Sequence, residues 1–514
     1  METTIKFLGG TAGKLTGSCY LLTININGKT IKIVIDVGLI QGDFKKTLEQ
    51  NKEILNHVNP AEVDFICLTH GHIDHTGRVP FFVKNGFRGK VVCTHSTLDL
   101  LGPMLEDSAK IQKNEIDYLN KMETKLSKDS VFKKDNPYCR STKGNRGSKD
   151  RHQKETQEKP KLSSALYDIN DVKSTMELIK ESFDYNKWIK LTNNIKLKFY
   201  PSGHVVGGAI IVIKISDEKE TKCLCFTGDL GRKDGIILPP PEIVKEPIDY
   251  LITESTYGGK VHPEREKEIK KLLELILEST KKHRKIIIPS FALERSQEII
   301  YLLSYYMKQG VIPKVQIYLD SPLALKITEV FAKGWTKGMF SDQDKLGFNP
   351  FCPQENEFFR LISERKESDE LMVWPGNYIV IAGSGMCDAG RIRGYLRNNL
   401  SKTNTDVFLV GYMAEKSLGG RIKRGDKVVK MNKEEIEVKA KIISFNSFSA
   451  HADGAFIVEY IQKVLQKNPH HKIKKIFIVH GEEKSAGDLK IDLEKIIPRR
   501  KTIIPGINDE FTLK

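Results

Sequence analysis

His70-Gly71-His72-Ile73-Asp74-His75 places four side chains able to bind a divalent metal within six consecutive residues. Imidazole and carboxylate are the usual nitrogen and oxygen donors to zinc. The cluster follows directly on the apolar run Val63 to Thr69, which reads as a buried strand feeding the loop. As plain core the loop makes little sense, because burying polar groups without partners costs roughly 2 kcal/mol or more apiece. A chance crowding of histidines at a strand end is the alternative, and the regular spacing argues against it.

Outward from this loop the N-terminal part reads as short strands. Ser18 to Ile26 and Ile31 to Ile35 flank Asn27-Gly28, a hairpin signal. Helical patterns cover about Ser96 to Met122 and Asp168 to Phe183, and strands return at Ile195 to Tyr200, Ala209 to Ile215 and Lys222 to Thr227. Between the two helical patterns, residues 121–161 are rich in Lys, Ser, Asn, Arg and Gln without apolar periodicity. This stretch is expected to be a mobile basic insertion, either an RNA-tethering arm or merely solvated surface, with the balance slightly toward the latter. After Asp249 strands alternate with helical runs: Tyr250 to Thr253, Lys285 to Pro289, Gln316 to Leu319, Asn377 to Ala382 and Asp406 to Val410 against Glu264 to His283, Glu294 to Lys308 and Ala389 to Leu400. Such alternation predicts a parallel-sheet α/β unit. No tandem repeat is seen.

A chain of 514 residues exceeds one ordinary core, so at least two domains are expected. Its 82 Lys and Arg against 66 acidic residues give +16, a balance that suits a polyanionic partner as well as a merely lysine-rich surface. No apolar run approaches the roughly 20 residues of a membrane span, and the N-terminus lacks a leader pattern, so the expectation is a cytoplasmic protein. The eight cysteines are scattered, which favours reduced, buried thiols over a metal knuckle.

His-x-His-x-Asp-His after a buried strand resembles the signature loop of the metallo-β-lactamase superfamily. Asp36, Gly203-His204 and Thr227-Gly228-Asp229 resemble its other motifs, in the same order. Glu254-Ser255-Thr256-Tyr257-Gly258, Ser447 to Asp453 and Val479-His480-Gly481-Glu482 are similar to motifs A, B and C of the beta-CASP nucleases. Pro289-Ser290-Phe291-Ala292, Asp320 to Ala324 and Gly383 to Cys387 resemble segments of their inserted domain. The resemblance spans nearly the whole chain except the basic insertion, and is strongest to bacterial and archaeal RNA-cleaving members and to the endonuclease subunit of the cleavage and polyadenylation machinery. It implies an α/β fold: a metallo-β-lactamase αββα sandwich built from residues 1–250 and 437–514, with a beta-CASP domain at 251–436 and the active site in the cleft between them.

The same resemblance implies two zinc ions, with manganese as the alternative metal. His70, His72, His204 and Asp229 would hold one ion, and Asp74, His75, His480 and the shared Asp229 the other. It makes His451 the general acid, Glu254 its orienting carboxylate and Asp36 a support behind the metal loop. Ser384, at the Gly383-Ser384-Gly385 turn before a helix expected near Ala389, could offer backbone amides to substrate phosphates, and Arg295 and Arg391 could add bidentate contacts. Glycines that merely shape a tight turn are at least as good a reading. His57, His95, His262 and the pair His470-His471 have no such support and are read as structural.

Three activities compete: a ribonuclease, a DNA nuclease of the same group, and a small-molecule ester hydrolase of the wider superfamily. The long α/β insertion and the +16 charge disfavour the last. Within the family a histidine at motif C, here His480, goes with RNA substrates, and the complete ligand set argues against a catalytically dead scaffold. The sequence leaves endonuclease and 5′ exonuclease action open. Family analogy alone suggests a homodimer or association with an RNA-processing complex.

Overall fold

The structure is a computed structural model that describes residues 1–13, 16–134, 164–341, 345–431 and 434–514. The apolar alternation of the N-terminal strands builds the first of the three large sheets among the described residues; a fourth is only the two-stranded ribbon Val428–Met431 with Glu434–Glu437. The order of the first is Glu510–Thr512, Glu2–Gly9, Cys19–Ile26, Lys29–Ile35, Phe65–Cys67 and Lys90–Val92. The hairpin at Asn27-Gly28 forms as expected, with both residues at positive φ (48° and 74°), the twist that two-residue turns of this kind require.

A second sheet lies face to face with the first, in the order Thr502–Ile503, Lys475–Ile478, Tyr250–Thr253, Thr221–Phe226, Ala209–Ser216, Ile195–Pro201 and Trp188–Lys190. Inward residues of both sheets, among them Ile5, Leu22, Ile33, Ile211, Leu224 and Phe477, form one core. The outer face of the first sheet is covered by Val79–Lys84, Ile169–Leu178 and the N-terminal half of the long helix His95–Lys134. Gly454–Gln466 and Glu483–Leu493 cover the outer face of the second. The layers therefore run αββα.

The third sheet is wholly parallel, ordered Phe359–Leu361, Ile317–Asp320, Ile379–Ala382, Lys285–Pro289, Thr405–Leu409 and Lys441–Ser444. Its central strands Ile379–Ala382, Lys285–Pro289 and Thr405–Leu409 are buried on both sides, as a sheet covered by helices demands. Ile286 and Ile288 face a core with Arg295–Lys308 and Pro322–Thr336, while Ile287 faces another with Ile392–Asn399 and Leu418–Arg424. The first of these cores runs on without a break into Leu100, Met104, Val205, Val206, Ile237 and Phe448, so the inserted unit is joined to the sandwich by apolar packing.

Three local expectations change. Helix His95–Lys134 continues through residues 121–134, which had been read as the start of the mobile insertion; Lys and Glu are good helix formers, and propagating an existing helix is far easier than starting one. The remainder of that insertion up to 161 lies outside the described residues. The strand Lys441–Ser444 pairs with Thr405–Leu409 in the third sheet, past the expected boundary at 437, and Tyr250–Thr253 belongs to the second sheet. The helix expected near Ala389 begins at Ile392. Among the described residues no helix is long and apolar enough to cross a membrane.

Candidate metal centre

The functional side chains sit where strands end. Thr221–Phe226, Tyr250–Thr253 and Lys475–Ile478 are parallel neighbours, and just beyond their carboxyl ends come Asp229, Glu254 and His480. The crevice outside the carboxyl ends of parallel strands is the usual ligand position in such sheets. From the facing sheet, Phe65–Cys67 delivers His70, and His72 caps a single helical turn, Ile73–Thr76, that carries Asp74 and His75. Gly38 lets this turn close in: a Cβ there would lie 1.6 Å from the Asp74 carbonyl oxygen. Asp36 and His480 both adopt left-handed backbone (φ 56° and 50°), sparsely populated for side-chain-bearing residues and typical of functional positions.

Two groups of donors converge on one carboxylate. Asp229 Oδ2 lies 3.5 Å from Nε2 of His70 and 3.5 Å from Nε2 of His204. Its Oδ1 lies 3.4 Å from Nε2 of His75 and 3.5 Å from Nε2 of His480. His72 Nδ1 completes the first group, 2.9 Å from His70 Nε2 and 3.3 Å from His204 Nε2. Asp74 Oδ2 completes the second, 4.0 Å from Nε2 of both His75 and His480. In each group all the ligand atoms lie within 4.8 Å of one another.

Three of the rear nitrogens are tied down. His75 Nδ1 donates to Asp36 Oδ2 at 2.8 Å, and the Thr69 hydroxyl donates to the same oxygen at 2.7 Å. That hydroxyl in turn faces His70 Nδ1 at 3.0 Å, while Ser18 Oγ faces His480 Nδ1 at 3.0 Å. Such contacts fix each ring's orientation and leave Nε2 with a lone pair facing the centre. His75 Nε2 and Asp229 Oδ1 are buried without a hydrogen-bond partner. Buried polar atoms are rarely left so, and here they point where a cation would satisfy them. The donor set fits metal ions.

The electrostatics agree. Burial, then the neighbouring imidazoles, holds His70, His75 and His204 well below the ordinary histidine range. Burial pushes His72 down to about 4 against the pull of Asp74. All four are thus neutral near pH 7, the form that binds metal. Burial pushes Asp229 up to about 7, opposed by His480 and His451, so the carboxylate lacks enough positive charge from the protein alone.

Beside this centre stands a different pair. His451 Nδ1 lies 3.2 Å from Glu254 Oε2 and 4.0 Å from Asp229 Oδ2. Burial works to lower the His451 pKa, but the Glu254 charge and hydrogen bond overcome it and hold the ring at about 9. Glu254 is buried too, which would raise it, yet His451 keeps it below the usual carboxylate range. Its Oε1 also accepts from the Leu230 backbone N–H at 2.6 Å.

The sequence-predicted residues therefore gather at one place, with three exceptions. Arg391 is engaged with the buried Asp320 and with the carbonyls of Ile362 and Ser363. Arg295 pairs with Glu298 and lies over the Phe448 ring. The Ser384 hydroxyl bonds within its own turn, to Ala389. These contacts lie within the inserted unit and against Phe448. Conversely, sequence reasoning missed Ser18 and Thr69, single hydroxyl residues with no motif of their own.

Comparison with known proteins gives three matches along the chain: the metallo-beta-lactamase superfamily over residues 12–139, the Beta-Casp domain over 296–422 and the Zn-dependent metallo-hydrolase RNA specificity domain over 435–505. Ribonuclease TTHA0252 of Thermus thermophilus is 29% identical over 483 residues, 92% of each chain. An RNase J-like protein of Methanocaldococcus jannaschii is 28% identical over 514 residues, covering 98% of this chain and 99% of its own. The transcription termination factor FttA of the same organism is 26% identical over 524 residues, 99% of this chain and 72% of the longer relative.

Proposed function

We propose that this chain, which belongs to the metallo-β-lactamase superfamily and carries its Beta-Casp and RNA specificity domains, is a two-zinc ribonuclease hydrolysing RNA phosphodiester bonds. The observation that carries the reading is the division of Asp229 between two sets of imidazoles, with the His451–Glu254 pair at its edge. His70, His72, His204 and Asp229 would hold one ion; Asp74, His75, His480 and Asp229 the other, with manganese as the alternative metal. When bound, the ions supply a water activated near neutral pH and positive charge for the phosphate oxygens.

The protein's own groups do the rest. Asp36, Thr69 and Ser18 keep the rear nitrogens of His75, His70 and His480 engaged, so these ligands are oriented before a metal arrives. Glu254 holds His451 by Nδ1, leaving Nε2 to give its proton to the departing 3′ oxygen, so the product carries a 5′ phosphate. The inserted unit forms the second wall of a groove, and we divide the chain after Thr253 and again after Ser444. RNA over DNA is supported by the relatives named for ribonuclease activity, by the RNA specificity domain and by the +16 charge. Action on transcripts in the cytoplasm, as a homodimer or within a processing complex, completes the reading.

The test is a gel assay on 5′-labelled single-stranded RNA and its DNA counterpart, with zinc, with chelator, and with Asp74→Ala and His75→Ala in parallel. RNA cut only by the metal-loaded wild type is the expected result, and the ladder separates endonuclease from exonuclease action. DNA cut as well as RNA, or products with 2′,3′-cyclic ends, would contradict it.

A further inference from the structure

His451 is held from both ends, and only one hold is accounted for by Glu254. On the main-chain side, His262 Nε2 lies 3.0 Å from the His451 carbonyl oxygen. A carbonyl can only accept, so the ring donates through Nε2. The His262 backbone N–H donates to Asp453 Oδ2 at 3.0 Å, and the other oxygen of Asp453 caps helix Gly454–Gln466 through the Phe456 N–H at 2.8 Å. Tyr257 packs edge-on against the His262 ring, with centroids 4.5 Å apart. Burial and the nearby Arg232 charge push His262 down to about 4, so its one N–H belongs at Nε2.

The arrangement links two segments far apart in sequence. Glu254 and His262 leave the same strand, Tyr250–Thr253, and grip His451 at its imidazole and at its carbonyl respectively. The Gly454 N–H donates to the Lys260 carbonyl at 3.0 Å, and the Ala452 N–H to Leu230 at 2.7 Å, so the loop is pinned on either side of this contact. A ring fixed only at Nδ1 could still swing about its χ1 and χ2 bonds as the backbone moved, and small misplacements of a proton donor are costly.

We propose that His262 is a positioning residue for His451: its Nε2–H···O=C bond sets the backbone from which His451 reaches both Glu254 and the leaving oxygen. This rests on the ribonuclease reading for its kinetic consequence, but not for its geometry. A purely structural role for His262 would make itself felt in stability alone.

The metal-loaded wild type, His262→Leu and His262→Gln are compared on a labelled RNA oligonucleotide and by NMR titration of the His451 ring. Leucine removes the donor while keeping bulk, and glutamine returns an N–H near the Nε2 position. Expected for His262→Leu is a kcat lower by about ten-fold or more, a KM within about two-fold and unchanged metal content. Its alkaline limb and the His451 titration should both move down by about one pH unit as the Glu254 contact loosens. His262→Gln should recover most of the rate. Wild-type kcat and titration in His262→Leu would overturn the proposal. So would a rate loss that glutamine does not repair while the titration stays put. If the wild type cuts no RNA, the ribonuclease reading fails, and a His451 ring whose NMR chemical shifts and contacts to Glu254 are unchanged in His262→Leu overturns the proposal on its own.

Discussion

Two buried carboxylates stand at the ends of parallel strands, and they have opposite fates. Asp320, in the inserted unit, is wholly buried, and the protein answers it with Arg391, the Ser368 hydroxyl and the Tyr395 hydroxyl. Asp229, in the sandwich, is 2% exposed and faces four imidazoles, of which His70, His75 and His480 have their rear nitrogens engaged, with its Oδ1 left unpartnered. A buried charge satisfied by the chain holds a fold together, because removing its partner strands it. A buried charge aimed at other unsatisfied donors marks where something from outside must bind. The difference lies in the partners, not in burial or position.

The comparison can be broken most directly at Asp229. Asp229→Asn should lose at least one bound metal per chain, measured by elemental analysis, and with it all detectable RNA cleavage; a variant that stays loaded and active would remove Asp229 from the centre. Next comes the neighbouring pair: His451→Ala should lower kcat by about 10²-fold or more while both metals remain bound. Metal loss in that variant would make His451 a ligand instead. On the other side, Asp320→Asn should cost about 3–5 kcal/mol of stability in denaturant titration by leaving Arg391 unanswered. Metal per folded chain should not change, and a loss of metal there would erase the contrast. The smallest effect is expected at Ser18→Ala, a weakening of metal affinity by about 10-fold in a competitive chelator titration, through the freed rear nitrogen of His480.

Acid offers a further test of the Asp229 centre. His72 protonates only near pH 4 in the folded chain but near its ordinary value of 6.5 when unfolded. Between these values the unfolded state binds more protons, so the metal-free protein is stable above about pH 6.5 and loses stability as pH falls toward 4. Thermal melts of chelated protein across that window check the sign; stability that rises on acidification would contradict it.

How far the sequence reveals all this depends on how local each feature is. The metal loop was legible because its ligands are neighbours and their crowding has no apolar explanation. Strand and helix order was legible from periodicity, including the hairpin at Asn27-Gly28 and the parallel unit after Asp249. His451, Glu254 and His480 were reached only through the resemblance, since residues 200 or so apart meet only in the fold. Ser18 and Thr69 carry no sequence signal because a hydroxyl that orients an imidazole looks like any other. Arg295 and Arg391 show the same limit from the other side: an arginine suits a phosphate as well as it suits a buried carboxylate, and the sequence does not show that Glu298 and Asp320 pair with them. The partner decides, and Asp320 and Glu298 are distant or unremarkable in the sequence. The helix running to Lys134 and the strand Lys441–Ser444 show the same limit at element ends, where tertiary pairing rather than composition sets the boundary.

The central claim is that Asp229 joins two metal positions. Anomalous diffraction at the zinc edge from crystals grown with zinc tests it most directly. The account predicts two peaks about 3.5 Å apart, one beside His70, His72 and His204 and the other beside Asp74, His75 and His480, with Asp229 between them. A single peak, or two that Asp229 does not touch, would contradict it.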